Sequence, residues 1–318
     1  MSPKKSLAPS ILITGAAGVI GGRLAMHFNS LGYRVFGIDK ISISRADIKS
    51  MGFENFLCAD VTLDTLALFG QTFDAAILCA GFGTVNAAEK DPFAGIAECV
   101  RPTQHSLEFL KRVSPLTNCI FFSSAAVYGN VKQNGMSIEE SASVKPVSLY
   151  GVGKQQCEAL CQYYADQFGL NIVVARPFSV YGEGLAKQLL WDASRKLLVS
   201  ELAFAGTGEE VRDFIHIDDV CLLSKKVLVN FDRKRDLINF GSGSPTKIYD
   251  VICELDFLLT GNRRDLAFSG KASAGSPNSL VANIENAKAF QWSPTISIST
   301  GLKRYASWFA KKEGRNAA

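Results

Sequence analysis

The chain has 318 residues, which corresponds to roughly two domains at about 150 residues each. Hydrophobic residues make up 47% and charged residues 20%, as in a globular protein with an apolar core. The 34 Lys and Arg exceed the 30 Asp and Glu by four, which excludes a basic nucleic-acid-binding protein and an acidic disordered chain. No apolar run approaches the roughly 18 residues of a membrane helix, and the first residues do not resemble a signal peptide. We therefore expect neither nucleic acid nor a membrane among the partners.

Eight cysteines occur, most of them inside apolar segments, together with only three histidines. Without a secretory signal, this pattern predicts buried reduced thiols and a cytoplasmic protein. Cys157 and Cys161 are four residues apart, but no histidine or further cysteine clusters near them. We therefore predict no metal site.

Short apolar runs alternate with helical patterns through the first half of the chain. Continuous apolar runs predict buried strands, and Gly32 and Gly169 mark the ends of two helices. The predicted strands are Ile11–Thr14, Arg34–Asp39, Phe56–Ala59, Ala75–Cys79, Cys119–Ser123 and Asn171–Arg176. The predicted helices are Val19–Leu31, Phe93–Val113, Tyr150–Phe168, Lys187–Leu198, Asp218–Val229 and Thr246–Leu259. The Gly- and Ser-rich stretch Ser269–Ser279 predicts a loop.

This alternation of strands and helices predicts an α/β fold. The expected architecture is a doubly wound parallel (Rossmann) sheet with a smaller C-terminal substrate-binding lobe. We expect the sheet domain to span residues 1–178, with 212–242 returning to it, and the lobe to comprise residues 179–211 and 243–318. Right-handed crossovers place the carboxyl ends of all strands at one edge of the sheet, where ligands bind.

A glycine-rich turn follows the first predicted strand and opens a helix. It has the sequence Gly15-Ala-Ala-Gly18-Val-Ile-Gly21. Without Cβ atoms, backbone N–H groups can approach a pyrophosphate closely, and the helix N-terminus adds unpaired donors and partial positive charge. The turn therefore predicts a dinucleotide site.

Acidic residues end the next two predicted strands. Asp39 lies 18 residues after Gly21, where a carboxylate accepts hydrogen bonds from both adenosine ribose hydroxyls. It also repels a 2′-phosphate, so NAD is favoured over NADP, although the neighbouring cation of Lys40 weakens that repulsion. Asp60 and Val61 either contact the adenine or are turn residues.

Tyr150 and Lys154 are four residues apart at the start of a predicted helix, so they share one helix face. A phenol has a pKa of about 10 in water, and a neighbouring ammonium group stabilises its anion. The pair therefore predicts a general acid/base, with a hydroxyl of Ser124 orienting the same substrate oxygen. The alternative is an ordinary surface pair.

Six segments together resemble the extended short-chain dehydrogenase/reductases, and among them the nucleotide-sugar epimerase/dehydratase branch. The segments occur in order across almost the whole chain, and their combination is more specific than any single one. They are Thr14-Gly-Ala-Ala-Gly-Val-Ile-Gly21, Phe122-Ser-Ser-Ala-Ala-Val-Tyr-Gly129, Tyr150 to Lys154, Arg176-Pro-Phe-Ser-Val-Tyr-Gly182, Arg212-Asp-Phe-Ile-His-Ile-Asp-Asp219 and Trp292-Ser-Pro294.

The resemblance implies a catalytic triad of Ser124, Tyr150 and Lys154, with Tyr150 as the acid/base. It implies a nucleotide-sugar substrate, NAD as the cofactor, and a homodimer formed by the helices Phe93–Val113 and Tyr150–Phe168 of two copies. The implied cofactor-binding residues are Gly15, Gly18, Val19, Ile20, Gly21, Asp39, Lys40, Asp60, Val61, Ala80, Tyr150, Lys154 and Pro177. The implied substrate-binding residues are Ser124, Ala125, Ser179 and Arg212. Arg212 would pair with the diphosphate; the alternative is a surface ion pair with Asp213.

Departures from the family pattern narrow the chemistry. The family's 4,6-dehydratases carry Asp and Glu where this chain has Ala125 and Ala126, and its decarboxylating members carry Glu at the second position. Methyl groups transfer no protons, so dehydration and decarboxylation are disfavoured. Many family epimerases have Asn where this chain has Ser179, and the segment between residues 182 and 203 is short for a sugar-nucleotide lobe.

We therefore predict NAD-dependent hydride transfer at a sugar carbon, preferably 4-epimerisation through a transient 4-keto intermediate. An NAD(P)H-dependent reductase of nucleotide-4-keto-sugars is the alternative, and the preference of Asp39 for NAD favours the epimerase. A regulator that binds NAD without catalysis is a further alternative, which the presence of both Tyr150 and Lys154 disfavours.

Overall fold

The computed structural model describes residues 8–81, 89, 91–130, 137–232, 236–271 and 278–314. The strands are β1 (Ser10–Thr14), β2 (Arg34–Asp39), β3 (Phe53–Cys58), β4 (Ala75–Leu78), β5 (Asn118–Phe122), β6 (Asn171–Pro177), β7 (Ser179–Tyr181), β8 (Ala203–Phe204), β9 (Val211–His216), β10 (Leu237–Phe240), β11 (Pro245–Lys247), β12 (Ala267–Phe268) and β13 (Ser279–Leu280). The helices are α1 (Val19–Ser30), α2 (Arg45–Ser50), α3 (Leu63–Ala67), α4 (Pro92–Val113), α5 (Leu149–Phe168), α6 (Gln188–Leu198), α7 (Ile217–Val229), α8 (Ile248–Thr260), α9 (Glu285–Lys288) and α10 (Ile298–Lys312).

A seven-stranded parallel sheet in the order β10-β6-β5-β4-β1-β2-β3 confirms the predicted fold class. Strand β1 is completely buried and pairs in parallel with both β2 and β4, with Ile11 opposite Val35 and Ala75. The strand order reverses between β1 and β4. In doubly wound sheets this reversal opens a crevice at the carboxyl ends of the two strands, where ligands bind.

Most predicted elements are confirmed, with shifts at their ends. β2 has the predicted bounds, and β1, β4, β5, β6, α1, α4 and α5 agree within two residues. β3 begins at Phe53 instead of Phe56. The exposed side chains of Glu54 and Asn55 near its start interrupt the apolar pattern, so the sequence indicated only the later part of the strand. β3 pairs only with β2 and is therefore an edge strand, which needs only one buried face.

The chain divides into two compact units by internal packing. The first comprises Met1–Ser123, Gly153–Ala175 and Ser224–Asp236, and the second comprises Ser124–Val152, Arg176–Leu223 and Leu237–Ala318. The predicted division of the chain into a cofactor-binding and a substrate-binding part stays a prediction.

The second unit contains a small sheet that the sequence did not predict. β9 pairs with β7, β11 and β13, and β8 pairs with β12. Helices α6, α8 and α10 pack against one another, with the ring of Trp191 5.0 Å from that of Phe309. Part of the predicted loop Ser269–Ser279, residues 272–277, lies outside the described residues.

All eight cysteines are free thiols, as predicted. Five are buried, Cys79 and Cys253 are partly buried, and Cys58 is exposed. Burial raises the pKa of Cys79 to about 12 and that of Cys157 to about 11, so these thiols stay protonated. In the part of the chain that the structure describes, no helix combines the length and the apolar character needed to cross a bilayer.

Candidate active site

The glycine turn lies where the strand order reverses, between β1 and α1 in the first unit. Gly15 has a φ of +68°, and its N–H donates to Ile38 O at 3.0 Å. A Cβ on Gly15 would lie 2.7 Å from Ala80 N at the end of β4, and one on Gly21 would lie 2.3 Å from Gly15 O. Both distances are too short for any side chain, so the sequence needs glycine at these two positions to bring β1, β4 and α1 together.

The first turn of α1 is formed by Val19, Ile20 and Gly21. Its N-cap is Gly18, which makes no side-chain hydrogen bond, and no acidic side chain lies in this turn. The helix therefore supplies no carboxylate of its own to the N–H groups at the positive end of its dipole. A diphosphate is the kind of ligand that fits such a turn.

The carboxylate of Asp39 is fixed beside this turn. Its side chain is only 8% exposed, its Oδ2 accepts from Ala17 N at 3.0 Å, and its Oδ1 accepts from Ile41 N at 2.9 Å. The ammonium group of Lys40 pairs with Glu98 of α4. The acid is thus oriented by two backbone donors, and a carboxylate of this chain already compensates the neighbouring cation.

The remaining predicted cofactor residues of the first unit lie at the ends of β3 and β4. Ala80 N donates to the Thr14 hydroxyl at 3.3 Å, which places Ala80 against the glycine turn. Val61 is buried, whereas Asp60 is exposed and its carbonyl accepts from the Thr65 hydroxyl at 2.7 Å. The bond from Thr65 holds the backbone of Asp60 in a turn, and a contact of its side chain with an adenine stays a prediction.

Lys154 is buried at the end of β5. Its side chain is 5% exposed, its ammonium group donates to Phe122 O at 2.7 Å, and it lies 5.1 Å from the centre of the Phe121 ring. An ordinary surface lysine would be in water, so the burial argues against the surface-pair alternative. Ser123 directly follows β5, and its hydroxyl donates a hydrogen bond to the Glu158 carboxylate at 2.5 Å. The sequence analysis did not single out Glu158; its position four residues after Lys154 was the available signal.

Ser124 and Tyr150 lie together in the second unit. Ser124 caps a short 3-10 helix, Ala125–Tyr128, and its hydroxyl oxygen accepts from Ala126 N at 3.1 Å, which leaves the hydroxyl hydrogen as a donor. Tyr150 is half-buried at the second position of α5. A Cβ on the next residue, Gly151, would lie 2.7 Å from Ala126 O, so the start of α5 packs directly on the 3-10 helix.

Ser179 and Arg212 lie on the neighbouring strands β7 and β9, with Ser179 opposite Phe214. Both side chains are half-buried, and burial lowers the pKa of the Arg212 guanidinium. Asp213 is fully buried, and its carboxylate accepts hydrogen bonds from Ser242 and from the backbone of residues 243 and 282. The alternative of a surface ion pair between Arg212 and Asp213 is therefore wrong, because Asp213 faces the interior. Pro177 is buried at the end of β6.

A partly buried ionic network follows β7. The imidazole of His216 is inaccessible to solvent, its Nε2 lies 3.1 Å from the Glu183 carboxylate, and its Nδ1 accepts from Asp218 N. Arg304 donates to Glu183 and Asp218, each at 2.7 Å. Burial alone would raise the pKa of Glu183, but the hydrogen bonds from His216 and Arg304 lower it to about 2. The sequence analysis missed this network, which anchors the segment after Tyr181.

The described residues contain no group of three His, Cys, Asp or Glu side chains arranged to hold a metal ion. Cys157 and Cys161 are both buried, and their burial raises the pKa of each thiol.

Comparison with known proteins matches residues 11–241 to the model of the NAD dependent epimerase/dehydratase family. The chain is 29% identical over 311 residues to an uncharacterized UDP-glucose epimerase, YtcB, of Bacillus subtilis, and the match covers 92% of this chain and 95% of the relative. It is 27% identical over 318 residues to a UDP-glucuronate 4-epimerase of Thermodesulfobacterium geofontis, covering 93% and 95%.

A solved structure shows the same relationship. The chain is 27% identical to the UDP-glucuronic acid 4-epimerase of Bacillus cereus, crystallised with UDP-glucuronic acid and NAD, with a TM-score of 0.82. The match covers 95% of this chain and 99% of that structure. The family match spans well over half of the sequence and includes the glycine turn, both strands beside it and the start of α5. This chain belongs to the NAD-dependent epimerase/dehydratase family.

Proposed function

We propose that the protein is an NAD-dependent nucleotide-sugar 4-epimerase. The observation that carries this proposal is the match to UDP-sugar epimerases, most of them named as 4-epimerases, over nearly the whole chain at 26–29% identity. The geometry of the first unit supports it independently, because the glycine turn, the oriented Asp39 and the buried Lys154 are the parts that such chemistry needs.

The residues around the glycine turn fit NAD. Gly15 and Gly21 leave no room for a Cβ, and the first turn of α1 presents N–H groups suited to the diphosphate. Asp39 would accept hydrogen bonds from the adenosine ribose hydroxyls, and its negative charge disfavours a 2′-phosphate. This preference for NAD supports the epimerase over an NADPH-dependent ketoreductase.

Tyr150 is the proposed acid/base. As a phenolate it takes the proton of the sugar C4 hydroxyl, and after the ketone has turned over it returns a proton to the same oxygen. The chemistry that bound NAD supplies is the reversible uptake of a hydride from C4, so that no net redox change occurs. Ser124 would donate a hydrogen bond to the reacting oxygen, and the Lys154 ammonium would stabilise the phenolate and contact the nicotinamide ribose.

Ala125 and Ala126 support epimerisation over elimination. Neither side chain can transfer a proton, so the 4-keto intermediate has no acid or base at this place to lose water. The proposed substrate is a UDP-sugar, with UDP-glucuronic acid and UDP-glucose as the first candidates, because these are named for the relatives. Arg212 would bind its diphosphate.

The test uses purified protein with NAD and a panel of UDP-, dTDP-, GDP- and CDP-sugars. Inversion at C4 without net NADH, measured by NMR, supports the epimerase. Consumption of NADH with a 4-keto-sugar would instead indicate the reductase, and no reaction in either assay would leave the regulator. Tyr150→Phe should abolish turnover and leave NAD binding nearly intact. The control is Tyr33→Phe, a half-buried tyrosine just before β2, at the edge of the sheet opposite the carboxyl ends of the strands, which should keep wild-type activity.

We also propose that the protein forms a homodimer through α4 and α5. These helices carry exposed apolar side chains, among them Phe93 at 84%, Tyr163 at 57% and Phe168 at 42% exposure, which a second copy would cover. Sedimentation of the protein at micromolar concentration should show a dimer, and a monomer alone would contradict this assembly.

We further propose that the enzyme works in the cytoplasm, in carbohydrate biosynthesis. Eight free thiols are typical of a protein that stays in a reducing compartment. Fractionation of the source cells, followed by detection of the chain in the cytoplasmic fraction, tests this location.

A further inference from the structure

The exit of β5 is held to α5 at two successive residues. Phe122 O accepts a hydrogen bond from the Lys154 ammonium at 2.7 Å, and the Ser123 hydroxyl donates to Glu158 Oε1 at 2.5 Å. Lys154 and Glu158 lie one turn apart on the same face of α5. Two neighbouring residues of the strand therefore contact two neighbouring turns of the helix.

Each contact includes one buried side chain, and Glu158 is partly buried. Ser123 is 3% and Lys154 5% exposed, and the thiols of Cys157 and Cys161 are buried beside them. Burial raises the pKa of both thiols, with the charge of Glu158 adding to this effect and that of Lys154 opposing it. Hydrogen bonds to a charged group are strong where water is excluded, so the removal of either bond should weaken the attachment of the strand end to the helix.

The two contacts differ in stiffness. The lysine side chain reaches Phe122 O through a flexible four-carbon stem, so this bond tolerates sliding or rotation of the helix. The bond from Ser123 to Glu158 joins a short side chain to a carboxylate one turn further along and restricts that movement. Ser123 also directly precedes Ser124 in the chain, so the same bond fixes the point at which the polypeptide leaves β5.

We propose that Ser123 and Glu158 are positioning residues that hold Lys154 in its catalytic place. As positioning residues they act by fixing α5 against the end of β5. This inference rests on the proposed function, because Lys154 has a catalytic place only if the protein is a dehydrogenase-type enzyme.

The variants that test it are Ser123→Ala, which removes the donor, and Glu158→Gln, which keeps the shape and an acceptor but removes the charge. The matched control is Asp166→Asn, which removes a carboxylate from an exposed position of the same helix. Displacement of a catalytic group by about 1 Å costs on the order of 100-fold in rate. We therefore expect kcat to fall by about 10- to 100-fold in both variants, with KM for the nucleotide sugar within about two-fold of wild type. The kcat of the double variant should be no lower than that of the more impaired single variant, since the two residues act as one unit.

A second measurement does not depend on activity. Acetylation of Lys154 by an N-hydroxysuccinimide ester, followed by peptide mass spectrometry, reports how accessible its amine is. The modified fraction should rise several-fold in Ser123→Ala and Glu158→Gln and stay unchanged in Asp166→Asn.

The proposal is overturned if kcat stays near the wild-type value, or if kcat falls while the labelling of Lys154 does not change. A raised KM with an unchanged kcat would also overturn it. If the wild-type protein acts on no nucleotide sugar, the proposed function fails, and the labelling alone then decides whether the two residues hold Lys154.

Discussion

Replacement of Asp39 by Asn tests the assignment of the adenosine ribose site. The Asp39 carboxylate accepts one backbone N–H on each oxygen, from Ala17 at 3.0 Å and from Ile41 at 2.9 Å. An asparagine side chain has only one oxygen, so its amide group faces one of the two donors. The substitution should therefore weaken the turn as well as remove the negative charge.

The two effects have different consequences for NAD and NADP. Loss of one hydrogen bond between a charged acceptor and a backbone donor costs about 1.5–3 kcal/mol and weakens the binding of both dinucleotides. Removal of the charge affects only the 2′-phosphate: two unit charges 5 Å apart repel by about 3 kcal/mol at an effective dielectric constant of 20. Allowing for screening, about 2 kcal/mol remains, which is about 30-fold in the ratio of the two affinities.

Titration calorimetry with NAD and with NADP measures both affinities for Asp39→Asn and for wild type. The control is Asp60→Asn, an exposed acid at the end of β3, which should change both affinities alike or not at all. An NAD-to-NADP ratio that is the same in Asp39→Asn and wild type would remove Asp39 from the ribose site.

Three further predictions concern the turn, the acid sensitivity and the diphosphate. Gly15→Ala places a Cβ 2.7 Å from the backbone after β4 at a φ of +68°, and should lower the free energy of unfolding by about 2 kcal/mol or more. The control is Gly32→Ala, where φ is also positive but nothing lies within 4 Å, and this variant should lose only about 1 kcal/mol. Urea unfolding measures both. Because its folded pKa is about 2 against 4.5, Glu183 stabilises the protein above about pH 4.5, and this contribution is lost as the pH falls toward 2. Glu183→Gln breaks the pair with Arg304 and should lower the free energy of unfolding by about 1–2 kcal/mol at pH 7, since the carboxylate is partly exposed. The difference in unfolding free energy from wild type should shrink between pH 5 and pH 3. A difference that stays constant over this range would contradict the reasoning. Arg212→Lys should raise KM for the nucleotide sugar about ten-fold with little change in kcat, and an unchanged KM removes Arg212 from the substrate site.

The sheet was predictable where strands are buried on both faces. β1 and β2 are continuous apolar runs, so the pattern alone located them. The predicted β3 started three residues late, because the exposed Glu54 and Asn55 near the start of this edge strand interrupt its apolar pattern. The strands around β9 were not predicted: β7 has three residues and β13 has two, too short for any period, and their pairing joins residues far apart in sequence.

The candidate site was predictable where spacing alone identifies the chemistry. Gly15, Asp39 and Lys154 followed from their positions relative to strands and helices. Their partners did not, because contacts such as Asp39 with Ala17 N or Ser123 with Glu158 depend on how the strands and helices pack. Glu158 has the sequence signature of an ordinary helix-surface acid, and only the packing of α5 on β5 brings its carboxylate to the Ser123 hydroxyl.

The arrangement of the thiols has a practical consequence for labelling. Cys58 is the exposed thiol of the eight, and it pairs in register with Asp39 on the neighbouring strand. A maleimide fluorophore should therefore attach at this position first, without mutagenesis of the buried and partly buried cysteines. Such a dye would lie next to Asp39, so that, if Asp39 binds the adenosine ribose as proposed, its emission would report dinucleotide occupancy in real time.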